Sequence, residues 1–119
     1  MPKRKVYNIT QFVEGQSESV AEICSVLHDL FLSYPNVKCF IRYNIPFYDY
    51  RKWVCYINPL KKSNAVELVF LNGKVLKESF EFRKDRGRKM VAGIEIDEIN
   101  DAVLQNVVMV WEEAILSNN

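Results

Sequence analysis

Histidine is nearly missing: His28 is the only one in 119 residues. A metal centre built on several imidazoles is therefore excluded. Cysteine is scarce too. Cys24, Cys39 and Cys55 are the full set of three, each inside an apolar segment and none at CxxC spacing. That pattern excludes a disulfide framework and reads as reduced, buried thiols in a cytoplasmic compartment. Neither sign of charge is in excess: 16 Lys and Arg face 15 Asp and Glu, for a net charge of +1. Bulk attraction to nucleic acid or anionic lipid is thereby excluded, though a local patch is not. No apolar run approaches the roughly 20 residues of a membrane span. The basic start MPKRKVYN has no apolar stretch behind it and does not read as a signal peptide. Internal repeats and low-complexity segments are absent. So are a phosphate-binding Gly loop, a nucleophile elbow and a metal motif, so the sequence does not read as an enzyme.

What is present is a globular composition, 49% hydrophobic and 26% charged. Residues 1–119 read as one domain. A chain of this length buries roughly two-thirds of its unfolded surface without help from metal or disulfide.

Asn8 or Thr10 can cap a short helical turn through Phe12 and Val13 that Gly15 ends. Ser17 or Ser19 starts the first main helix, with Ser19 and Glu22 spaced as a capping box. Val20, Ile23, Cys24, Leu27, Leu30 and Phe31 then recur at helical spacing until Pro35 and Asn36. Val37 to Tyr43 alternates as a strand, and Asn44-Ile45-Pro46 breaks it. Trp53 to Ile57 is a second strand that Asn58-Pro59 ends. After a polar turn over Lys61 to Asn64, Ala65 to Leu71 is a third. Residues 74 to 88 carry little periodicity and read as a long loop. Strand character returns over Met90 to Ile96. Asp97 caps a last helix, with Ile99, Val103, Val107, Val110, Trp111 and Ala114 on one stripe. Short links between strands argue for antiparallel neighbours. The fold class is α+β: two layers, an antiparallel sheet of about four to five strands, and N- and C-terminal helices packed on one face.

The stretch IRYNIPFYDYRKWVCYINP, residues 41–59, concentrates aromatic residues and arginine. Alternation puts Phe40 and Arg42 opposite Tyr43, and Tyr56 opposite Trp53 and Cys55. Some aromatics must then lie on the sheet face away from the helices.

RYNIPFY at 42–48, WVCYINP at 53–59, VELVFLNG at 66–73 and GRKMVAGI at 87–94 resemble the YdhG-like family, small bacterial domains of unknown function. The resemblance runs from roughly Ile23 to Trp111. It implies a two-layer α+β domain with helices on one face of an antiparallel sheet. One branch of that family is labelled an intracellular iron chaperone with a frataxin-like role. The resemblance implies no catalytic residues.

Two clusters could carry chemistry. The run Arg83-Lys84-Asp85-Arg86-Gly87-Arg88-Lys89 sets five cations against one carboxylate. Arginine suits bidentate contact with phosphate or carboxylate, so an anion site is one expectation and a solvated loop the other. The run is too narrow for a nucleic-acid face. The acidic series Glu14, Glu18, Glu22 and Asp29 follows roughly four-residue steps and reads as a solvated face or a weak iron surface. His28, four residues after Cys24, lacks a third partner for catalysis or metal binding. Glu67 points to the polar face, where it can pair with Arg42.

The expectation is a cytoplasmic binding module without a cofactor. Its ligand site holds Arg42, Tyr43, Tyr48, Trp53, Tyr56, Arg86, Arg88 and Lys89 and takes a small anionic ligand. One alternative is a frataxin-like iron chaperone using Glu18, Glu22 and Asp29. Another is a structural homodimer without ligand.

Overall fold

The computed structural model describes residues 5–60, 63–71 and 92–118. Helix α1 (Ile9–Glu14) begins at the N-cap Asn8, whose side chain accepts from the Gln11 N–H. Helix α2 (Glu18–Leu32) begins at Ser17, which accepts from the Val20 N–H. The capping box on Ser19 is therefore corrected: Ser19 lies inside the helix, and Glu22 is an exposed residue one turn further on. Val20, Ile23, Cys24, Leu27 and Phe31 form its buried stripe, each large member stabilising by about 1.5–3 kcal/mol.

Five antiparallel strands follow in chain order: β1 (Lys38–Arg42), β2 (Ile45–Tyr50), β3 (Lys52–Leu60), β4 (Ala65–Phe70) and β5 (Ala92–Ile96). The expected sequence of strands lacks β2. Tyr43 and Asn44, both at positive φ, make a two-residue turn that returns the chain at once, so Arg42 opposes Ile45. Pro46 does not break the sheet. It opposes Ile41 beside that closing pair, at a position where no ladder bond is needed, and the ladder with β3 starts only at Phe47. Nor do Asn58 and Pro59 end β3, since they pair with Glu67 and Val66 of β4.

Helix α3 (Asp101–Ser117) is capped by Asn100, which accepts from the Val103 N–H, rather than by Asp97. Val107, Val110, Trp111 and Ala114 are buried, while Ile99 precedes the helix. Beyond its end, the Asn118 amide reaches the carbonyls of Tyr50, Lys52 and Trp53 at 3.3–3.4 Å, tying the helix to the β2–β3 turn.

All three helices pack on one sheet face. Their stripes join Tyr48, Val54, Cys55, Ile57, Val66, Leu68, Phe70, Ile94 and Ile96 in a single core. At its centre Phe31 stacks on Trp111, with ring centroids 4.2 Å apart, and meets Tyr48 edge-on. The fold is thus the expected two-layer α+β arrangement. Among the described residues no helix is long and apolar enough to cross a membrane.

Candidate functional site

The sheet face away from the helices is the candidate site. Phe40 and Arg42 of β1 share this face with Phe47 and Asp49 of β2 and with Trp53, Tyr56 and Asn58 of β3, Phe40 directly opposite Phe47. Strict alternation would put Trp53 with Cys55 in the core. A bulge prevents this. Tyr48 pairs with Cys55 but Asp49 pairs with Trp53, so β3 carries Val54 as an extra residue. Val54 and Cys55 both turn inward, and Trp53 swings out to the Tyr56 side.

The result is an aromatic cluster around one guanidinium. Phe47 is the buried hub, stacked on Tyr56 at 4.8 Å and edge-on to Trp53 at 5.2 Å. Arg42 lies over Trp53 at 4.3 Å and over Phe40 and Phe47 at 5.0 and 5.4 Å. Phe40 and Trp53 remain 44% and 43% exposed, and Tyr43 at the hairpin tip 83%. Tyr43, Phe47, Trp53, Tyr56, Asn58 and neighbours line an open groove of about 380 Å³.

Arg42 donates to both carboxylate oxygens of Asp49 at 2.9 and 2.8 Å. This bond holds its pKa above the ordinary value. One N–H from each terminal nitrogen is thus turned to Asp49, in the two-pronged geometry that suits a carboxylate. The expected partnership of Arg42 with Glu67 is corrected: β2 and β3 lie between their strands, and Glu67 faces Asn58 and Glu95 in register. Glu67 is buried at 3% exposure, contrary to a solvated position. Its side chain lies over Gly93, where any Cβ would collide with the carboxylate.

Of the residues expected at the site, Arg42, Tyr43, Trp53 and Tyr56 come together. Tyr48 does not. It is fully buried on the helix side, with its hydroxyl 2.9 Å from His28 Nδ1. Burial, helped by Cys39 and Cys55, pushes the phenol far above its usual range. Arg86, Arg88 and Lys89 lie outside the described residues, as does the 74–88 loop. Phe40, Phe47 and Asp49 were missed. The alternation signal for Phe40 was there, but Phe47 and Asp49 needed β2.

On α2, Glu18 and Glu22 are exposed one turn apart and Asp29 follows further along. Among the described residues no three His, Cys, Asp or Glu side chains gather in a group that could hold a metal ion. The three thiols are free. Burial pushes Cys24 up to about 12 and raises Cys39 and Cys55 as well, which keeps them protonated and unreactive.

Comparison with known proteins adds no relative: no family model, no curated protein and no solved structure matches the chain.

Proposed function

We propose that this protein is a small binding module, not an enzyme, and that its ligand lies on the aromatic sheet face. The observation that supports this is Trp53. A bulge turns a large apolar ring out of the core and leaves it nearly half exposed beside Phe40, over the Phe47 hub. Rigid aromatic side chains give contact area at low entropic cost. Because Arg42 is matched by Asp49, the described part of the face favours a flat organic ligand through stacking. Its anionic character rests on Arg86, Arg88 and Lys89. The motif resemblance to YdhG-like domains supports a cytoplasmic domain of that kind and is silent on ligand.

Native mass spectrometry of the protein as purified tests the reading. The expected result is an added small-molecule mass that is lost on unfolding and is absent from a Trp53→Ala variant. A bare monomer for both proteins would sink it. A dimer that Trp53→Ala splits would replace the ligand with a second copy of the chain.

A further inference from the structure

Around the hairpin tip from the aromatic groove lies a second pocket, between α1 and the β1–β2 turn. It has a volume of about 390 Å³, within the range of small-molecule sites. Gln11, Phe12, Gln16, Tyr43, Asn44 and Asn58 are among its walls, and none of its lining residues among those described carries a charge.

Three of its amides are held by one end only. Asn44 Oδ1 accepts from the Val6 backbone N–H at 3.2 Å, and Gln11 Oε1 accepts from the Tyr7 N–H at 2.8 Å. A backbone N–H can only donate, so each of these amides turns its oxygen to the backbone, and its NH₂ makes no hydrogen bond to the described residues. Gln16 is the reverse: its Nε2 donates to the Phe12 carbonyl at 3.3 Å, and its oxygen accepts from none of the described residues. Asn58 makes no side-chain hydrogen bond to the described residues and retains both functions. All four amides are half-buried. The pocket thus carries fixed amide donors, a fixed amide acceptor and one adaptable amide, with Phe12 and Tyr43 as apolar surfaces. A carbonyl flanked by an N–H matches that set; an ionised group does not, since nothing there neutralises it.

We infer that this pocket binds an uncharged small ring bearing an amide-type edge. Asn44 and Gln11 donate to its carbonyl, Gln16 accepts from its N–H, and Asn58 completes the pattern. The inference stands without the aromatic-face reading, although Tyr43, Ile45 and Asn58 border both cavities.

The test is an NMR titration of ¹⁵N-labelled protein that follows the side-chain NH₂ signals of Asn44 and Gln11. Nicotinamide supplies an exocyclic carboxamide, uracil a ring lactam, and benzyl alcohol a similar ring with neither. Saturable shifts with nicotinamide or uracil and none with benzyl alcohol are expected, and whichever binds identifies the edge. Asn58→Leu, which breaks no side-chain hydrogen bond among the described residues, should weaken binding about ten-fold with unchanged Tm, the loss of roughly one hydrogen bond. Trp53→Ala should leave it unchanged, which separates this pocket from the aromatic face. Absence of saturable shifts with both amides across a millimolar titration would overturn the inference. Equal shifts with benzyl alcohol would also overturn it, by showing that the amide edge is not read.

Discussion

His28 and Tyr48 form the most consequential pair of single residues outside the candidate site. Burial keeps the Tyr48 hydroxyl protonated, and it shares a hydrogen bond with His28 Nδ1. Burial also lowers the His28 pKa, partly opposed by Asp29 beside it. A histidine depressed in the folded state binds its proton more readily when unfolded. Its contribution is therefore complete above the unfolded value of about 6.5 and is lost as pH falls through the window below it. Urea denaturation at pH 7.5 and pH 5 should show the wild type losing more stability on acidification than His28→Gln does. Equal losses would mean that this histidine titrates alike in both states. Tyr48 also marks a limit of sequence reading. It lies in the aromatic stretch from which the ligand site was drawn, yet a pleat sends adjacent residues to opposite faces, and without β2 its parity could not be counted. Trp111 was legible as core from helical spacing alone. Its buried Nε1, without a hydrogen-bond partner among the described residues, was not, because partners depend on packing across elements.

Among the elements, the helices were the more legible. Their apolar stripes repeat over four turns and tolerate an error of a residue or two, so α2 and α3 were placed correctly, while the cap of α2 stayed open between Ser17 and Ser19 and that of α3 was set at Asp97 instead of Asn100. Caps depend on a single backbone angle, and Ser17 or Ser19, Asp97 or Asn100, are chemically equal candidates. The structure separates them sharply. Asn100→Ala should cost about 1 kcal/mol and Asp97→Ala less than about 0.5 kcal/mol in chemical denaturation. The reverse order would restore Asp97 as the cap. Strand β2 was hidden for three reasons. Its proline suggested a break, its entry turn has Tyr43 where glycine or asparagine is usual, and its exit turns on Arg51 alone between Tyr50 and Lys52. With β2 unseen, Asp49 could not be recognised as the partner of Arg42.

At the scale of the whole molecule, chain order and sheet order coincide, so every strand bonds to its sequence neighbour. The helix layer differs: Phe31 of α2 and Trp111 of α3 meet across most of the chain. Local pairings close cheaply and distant ones late. We therefore expect Ile57→Val, in the middle of β3, to act mainly by slowing refolding, and Val110→Ala, in α3, mainly by speeding unfolding, in a chevron analysis. The opposite partition would place helix docking in the rate-limiting step. The two-layer plan itself was readable, because it needs only amphipathic helices at both ends and alternating strands between them. The composition of the outer face was not. Val54, the additional residue of β3, obscures it by count rather than by chemistry. Loss of Val54 would set Trp53 directly before Cys55, where plain alternation already points the indole outward, so the aromatic face would survive without the bulge. The bulge thus absorbs a difference of one residue in chain length while the same outer surface is kept, a tolerance that comparing substitutions would never reveal.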